Sequence, residues 1–329
     1  MKALLAMPDG IAAQMFDAPR WDCLDDLVDL VVDHPVPHLS SVPDPVLAGV
    51  DVLITGWGSP LIDAAALERL SSLRAIVHTA GTVRSVVGPE VWRSPRILVT
   101  TAAQANAVPV AEYTLAQILL AGKHSLRREA EHRSDRGRRR AWSPGGGGNH
   151  GAIIGLIGAS RIGRLVADLL RPFDLEILIS DPFIDVAQAH AIGARKVELP
   201  ELFSTADVVS LHAPDVPSTR RMVSAELLAM MRDGTTFLNT ARPALVDEMA
   251  LRAELLTGRI SAVLDVHDHL AADDPLWDVP TVSITPHIAG SQGNELHRMT
   301  DHALEELRRL AAGAPPRHPV DRARLELTA

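Results

Sequence analysis

The sequence predicts an α/β chain built as two doubly wound parallel-sheet domains, and three observations carry that prediction. Short apolar runs alternate with helical patterns along nearly the whole chain, without a repeat of solenoid type. The 329 residues exceed what one ordinary core holds, since single cores stop growing below about 300 residues. A glycine-punctuated strand-turn-helix stands at Ala152 to Gly163, near the middle of the chain.

The first strand is read at Ala3 to Met7, an apolar run closed by the turn signal Pro8-Asp9-Gly10 and too short for a signal peptide or a membrane span. Trp21 to Val32 follows as a helix, with Trp21, Leu24, Leu27, Val28 and Val31 on one face and Asp22, Asp25, Asp26 and Asp29 on the other. Val52 to Thr55, Ala75 to His78 and Ile97 to Thr100 are the next strands. Asn106 to Leu120 reads as a long amphipathic helix, Lys123 to Arg140 is strongly basic, and Pro144 to Gly148 is a flexible connection. A second series then supplies strands at Ala152 to Ile157, Leu175 to Ser180, Val208 to Leu211, Thr236 to Asn239, Ala262 to Val266 and Val282 to Thr285, enough for a six-stranded sheet.

Composition narrows the function. Aromatic residues make up 3% of the chain, few for stacking on bases, and the net charge of −9 argues against a polyanion as the general partner. A single cysteine, Cys23, excludes an internal disulfide and suits a quiet structural thiol in a reducing compartment, so a cytoplasmic location is expected. No run reaches the roughly 18 apolar residues of a spanning helix, and no membrane role is expected.

The strongest local signal is Gly155-Leu156-Ile157-Gly158-Ala159-Ser160-Arg161-Ile162-Gly163. Gly158 permits the tight turn, Gly163 lets helix and strand pack closely, and the free amides of the helix N-terminus suit a pyrophosphate, as in a Rossmann unit. Ser160 replaces the usual middle glycine; it adds a Cβ at the closest approach to phosphate but is small and donates a hydrogen bond. About 20 residues on, Asp181 follows the next strand, where a carboxylate accepts ribose hydroxyls and repels a 2′-phosphate. NAD is therefore expected over NADP.

Four blocks together resemble the D-isomer-specific 2-hydroxyacid dehydrogenases: Gly158 to Gly163 with Asp181-Pro182-Phe183; Ser210-Leu211-His212-Ala213-Pro214 with Ser218-Thr219-Arg220; Phe237 to Arg242 with Leu245-Val246-Asp247; and Thr285-Pro286-His287-Ile288-Ala289-Gly290. The resemblance implies a Rossmann NAD domain over residues 103–290 and a discontinuous, flavodoxin-like substrate domain from 1–102 and 291–329, with a hinge near Ala103 to Ala107. It assigns NAD contacts to Gly158, Ser160, Arg161, Ile162, Gly163, Asp181, His212, Ala213, Pro214, Thr219, Thr240, Ala241, Asp265 and Gly290. It also implies a homodimer.

The chemistry implied is hydride transfer between NAD(H) and a small 2-hydroxy or 2-oxo acid. Arg242 would grip the substrate carboxylate in a bidentate fork, and His287 would exchange the proton at the carbonyl oxygen. Ala80, Gly81 and Thr82 would present the substrate loop, with backbone amides of Gly81 and Thr82 toward the carboxylate. Arg84, where the family often has an acidic residue, would either meet a second anionic group or be solvated.

Family members usually place a glutamate after the Leu-Asp-Val segment to orient the catalytic histidine. Here Leu264-Asp265-Val266 runs into His267-Asp268-His269-Leu270, and the stretch from Leu264 to Trp277 contains no glutamate and is about two residues shorter than the usual pattern. If the gap precedes His267, Asp268 takes the glutamate's place; if it falls later, His287 has no carboxylate partner. His267-Asp268-His269 as a metal site is only part of a coordination shell, and no metal is expected. Two other classes of function stay in view. One is an NAD-binding regulatory or scaffold protein, and the other a nucleic-acid binder resting on Arg127, Arg128, Arg133, Arg136, Arg138, Arg139 and Arg140 with Trp142. Glu129, Glu131 and Asp135 interrupt that basic run and disfavour the latter. Glyoxylate, hydroxypyruvate, a larger oxo acid and a phosphonate analogue are all compatible with the pattern.

Overall fold

The computed structural model describes residues 1–138, 147–268 and 270–322. Arg139, Arg140, Trp142, Pro144 to Gly146 and His269 lie outside the described residues. Two compact units result: residues 1–107 with 291–322, and residues 108–290. The boundary at 107/108 falls inside the helix Ala103–Gly122.

In the first unit, β1 (Lys2–Ala6), β2 (Asp29–Leu30), β3 (Val52–Thr55), β4 (Ala75–His78) and β5 (Leu98–Thr101) form a parallel sheet in the order β2-β1-β3-β4-β5. Strand side chains alternate with period two, so one set faces each side of the sheet. Leu5, Met7, Val52, Ile54 and Val77 join one core with the helices Ala18–Leu27 and Leu296–Ala311. Leu4, Ala6, Leu53, Ile76 and Val99 join the other, with Leu47, Ile62 and Leu70. Both faces are buried, which explains why these strands read as unbroken apolar runs. Each fully buried leucine contributes roughly 1.5–3 kcal/mol of transfer free energy. Cys23 is partly buried against the first of these cores, its thiol accepting from Arg308 Nη2 at 3.4 Å.

The amphipathic pattern over Trp21 to Val32 overruns the helix. The helix is Ala18–Leu27, capped by Asp17, and Val28 is already extended. Asp29 N then donates to Met1 O and Val31 N to Ala3 O, each at 2.9 Å, so pairing with β1 takes residues whose spacing would have continued the helix.

In the second unit, β6 (Ala152–Ile157), β7 (Leu175–Ser180), β8 (Arg195–Lys196), β9 (Val208–Leu211), β10 (Thr236–Asn239), β11 (Ser261–Leu264) and β12 (Val282–Ile284) are all parallel, in the order β12-β11-β10-β9-β6-β7-β8. The six strands expected become seven because β8 adds a two-residue edge, too short and too polar to show in a pattern. Here too alternation splits the core: Val209, Leu211, Phe237 and Leu264 on one face, Ile154, Leu156, Val208, Leu238 and Val263 on the other. The long helix is Ala103–Gly122, a turn more at its start than the sequence suggests, and Ser125–Ser134 carries Arg127, Arg128 and Arg133 of the basic segment.

Candidate active site

In both units the residues of interest follow strand ends at the carboxyl edge of the sheet, where ligands bind in open α/β folds. In the second unit β6 ends at Ile157 and the chain turns at Gly158, whose φ of +98° belongs to the left-handed half of the map. A Cβ there would stand 2.8 Å from Ala213 N, and one on Gly163 would stand 2.1 Å from Gly158 O. The backbone thus makes a bare cradle at the start of the helix Arg161–Leu170. Ser160 caps that helix, accepting from Gly163 N at 3.3 Å. The amides of the first helical turn have no intrahelical acceptors and point toward an anion. This cradle fits a dinucleotide pyrophosphate.

Asp181 does two things at the end of β7. Its carboxylate accepts Ala159 N and Phe183 N, each at 2.7 Å, and so pins the glycine turn; it is partly exposed and keeps acceptor capacity for a ribose. His212 follows β9. Its imidazole is buried against Ser210 Oγ at 2.9 Å, burial pushes its pKa down to about 4, and its backbone carbonyl carbon and Cβ lie against the Gly158 and Gly163 cradle. Thr219 Oγ1 donates to Pro214 O at 2.5 Å and closes the following loop.

At the end of β10, Asn239 braces its own turn: Oδ1 accepts Ala241 N at 3.0 Å and Nδ2 donates to Arg242 O at 3.1 Å. Arg242 is partly buried, with Nη1 donating to Ala241 O at 2.6 Å. Thr240 is buried, its hydroxyl 3.3 Å from that of Thr114.

Asp265, 1% exposed, ends the β11 segment and organises the turn that carries His287. Its Oδ1 accepts Thr285 Oγ1 and Ile288 N, both at 2.7 Å, and its Oδ2 accepts Ala289 N at 2.9 Å. His287 N adds a bond to Asp265 O at 3.0 Å. His287 itself sits at φ +57°, a conformation costly for residues other than glycine and asparagine, and these four bonds hold it there. Its imidazole is exposed and bonds to no other side chain among the described residues. Gly290 closes the segment, partly buried.

Asp268 lies beside a residue that sequence reading passed over. Its amide donates to Glu248 Oε1 at 3.1 Å, at the start of the helix Glu248–Leu256. Partial burial, together with the Asp268 carboxylate, raises the Glu248 pKa. His267 turns away to the Asp268 carbonyl, 2.7 Å, and meets Trp277 edge-on. Among the described residues no group of three or more His, Cys, Asp or Glu side chains could hold a metal ion.

The first unit offers a loop after β4. His78 is buried, bonded to Thr55 Oγ1 at 3.0 Å, and burial pushes its pKa down to about 4 against an opposing pull from the Thr82 backbone. Beyond it, Ala80 is buried, Gly81 and Thr82 are partly buried and Arg84 is exposed. Among the described residues the Gly81 and Thr82 amides donate to no protein group, which leaves them for an anion. Asn106 was also missed: its Oδ1 accepts Ser291 N at 3.2 Å, so Nδ2 is the end turned to Gly81, 3.3 Å from where a Cβ on that glycine would lie.

Residues 115–289 match the family model described as the NAD binding domain of D-isomer specific 2-hydroxyacid dehydrogenases. The chain is 31% identical over 310 residues to D-3-phosphoglycerate dehydrogenase of Mycobacterium tuberculosis, covering 94% of this chain and 54% of that protein. It therefore spans about half the length of that curated relative. Over 269 residues it is 34% identical to (S)-sulfolactate dehydrogenase of Chromohalobacter salexigens, covering 80% of this chain and 85% of that one. Among solved structures, the TT0316 protein of Thermus thermophilus aligns with a TM-score of 0.74 and 29% identity, over 98% of this chain and 100% of that one. With the glycine cradle, the carboxylate after β7 and the ordered histidine turn already in place, these matches show that the chain belongs to the NAD-dependent D-isomer specific 2-hydroxyacid dehydrogenases.

Proposed function

We propose that this chain reduces a small 2-oxo acid with NADH, or runs the reverse oxidation, with Arg242 binding the substrate carboxylate and His287 exchanging the proton at the substrate oxygen. The observation that carries this reading is the His287 turn. A histidine held at left-handed φ by a buried carboxylate, with its imidazole exposed, is a proton donor put in place and left accessible. NAD, when bound, supplies the hydride; Gly158, Ser160, Arg161, Ile162 and Gly163 would receive its pyrophosphate and Asp181 its ribose. Ala213, Pro214, Thr219, Thr240, Ala241, Asp265 and Gly290 would line the remainder. Residues 1–102 with 291–329 would act as the substrate domain, in which Ala80, Gly81 and Thr82 receive the carboxylate, with Asn106 of the following helix turned toward Gly81. Arg84 would serve a second anionic group.

Asp268 would be the acid nearest in sequence to the family's glutamate, acting with Glu248 as a carboxyl pair. A second reading, an NAD-binding regulatory protein, is favoured by one observation: the His287 imidazole lacks a carboxylate partner among the described residues. Assembly as a homodimer is part of the first reading.

The test follows NADH absorbance with a panel of 2-oxo acids. Wild type is expected to oxidise NADH with at least one of them, and His287→Ala to fall by about 10²–10⁴ in kcat, the usual value of a general acid. Arg242→Ala is expected to lose comparable kcat/KM. NADH binding without turnover across mildly acidic to neutral pH would move the regulatory reading ahead.

A further inference from the structure

We infer that Thr101 is a positioning residue that turns the Gly81 and Thr82 amides outward, an inference that rests on the proposed carboxylate-binding role of that loop. Thr101 ends β5, directly opposite His78 of β4 in the parallel register. Its hydroxyl donates toward two consecutive carbonyls, Ala80 O at 2.9 Å and Gly81 O at 2.5 Å, sharing one hydrogen between them. The next residue adds to the grip, since Ala102 N donates to His78 O at 3.0 Å and to Ala80 O at 3.1 Å.

A trans peptide unit points its C=O and N–H in opposite directions. Drawing the Ala80 and Gly81 carbonyls onto β5 therefore aims the Gly81 and Thr82 N–H groups away from it. Two adjacent amides pointing the same way make an anion-binding concavity. Besides Ala102 N on Ala80 O, no described side chain of the loop does this: Gly81 carries none, and the Thr82 hydroxyl accepts a long bond, 3.4 Å, from Arg84 N.

Thr101 is itself held on two further sides. Its hydroxyl accepts Ala103 N at 3.3 Å, and its amide donates to His318 O at 3.2 Å, from a C-terminal segment that continues with Val320 N on Val99 O at 2.8 Å. The Glu306 carboxylate, 2% exposed, anchors that segment by accepting Arg317 N and His318 N. The hydroxyl therefore has a fixed origin, which a free loop residue would lack.

The experiment titrates oxamate, a small 2-oxo acid mimic, into the NADH-saturated protein and follows the Gly81 and Thr82 amide resonances. Thr101→Val and Thr101→Ser are compared with wild type after equal thermal melting has been checked. Oxamate is expected to shift both amides in wild type, to bind about tenfold more weakly to Thr101→Val, and to bind Thr101→Ser within about twofold of wild type. KM for the 2-oxo acid should rise in Thr101→Val while kcat stays within about threefold and NADH affinity is unchanged. Shifts in wild type with equal affinity in Thr101→Val would overturn the positioning role and leave the loop assignment standing. Amides that do not respond in wild type would overturn the loop assignment, and this inference with it. If Thr101→Val melts early, the Ser variant decides by itself, because a Thr101→Ser protein that binds oxamate tenfold more weakly would show that the hydroxyl is not the operative group.

Discussion

The two loops proposed to receive anions, after β6 and after β4, are shaped in opposite ways. At Gly158 to Gly163 the backbone is shaped by what is missing, since a Cβ at either end would strike the main chain. At Ala80 to Thr82 the backbone is shaped by what reaches in, a hydroxyl from the neighbouring strand about 20 residues away in sequence. The first loop is rigid by steric exclusion and is written locally. The second is rigid by hydrogen bonding and is written elsewhere in the chain. Steric shaping tolerates no added atoms, whereas hydrogen-bonded shaping tolerates volume but not the loss of its donor.

Paired glycine substitutions test that difference most sharply. Gly163→Ala would place a methyl 2.1 Å from Gly158 O, a main-chain atom that moves only if strand and helix part. NADH affinity, read by nicotinamide fluorescence, is expected to fall by at least about 100-fold, with several kcal/mol lost in stability, as expected for overpacking against backbone. A well-folded Gly163→Ala protein that bound NADH normally would break the contrast.

A buried histidine in each unit sharpens the comparison at the level of stability. His78 and His212 both have pKa values lowered to about 4 by burial, against about 6.5 when unfolded. The unfolded chain therefore binds more protons between those values. Stability should be full above pH 6.5 and fall as pH drops toward 4, by at most about 3 kcal/mol per histidine. Urea unfolding at pH 7.5 and pH 5 measures it. His78→Asn and His212→Asn should each flatten part of the slope, and a flat wild-type profile would mean that neither imidazole is held neutral.

The smallest effect is expected at Gly81. A methyl there meets only Asn106 Nδ2 at 3.3 Å, the end of a side chain that can shift. Gly81→Ala should leave NADH binding intact and raise KM for the 2-oxo acid no more than about threefold, measured by initial rates. A loss as large as that of Gly163→Ala would show that the loop after β4, too, is shaped by exclusion.

Legibility follows the same division. The parallel sheets were readable because burial on both faces produces apolar runs at every central strand. The two short edges, Asp29–Leu30 and Arg195–Lys196, were not, since two residues carry no period. Glu248 beside Asp268, and Asn106 with its amide oriented by Ser291, stayed hidden because each depends on a partner distant in the chain. His212 was legible as a motif residue, but the direction of its ring was not.

The amino-acid order by itself determined the α/β class, the glycine cradle with Asp181, and the presence of Arg242 and His287 at strand ends. These follow from side-chain periodicity and from the conformational freedom of glycine, which act over a few residues. Only the tertiary structure decided that Asp265 would lock the His287 turn, that Glu248 would meet Asp268, and that Thr101 would face the loop after β4. Parallel strands brought together by long crossovers set those pairings through their register, and register is a property of the assembled sheet.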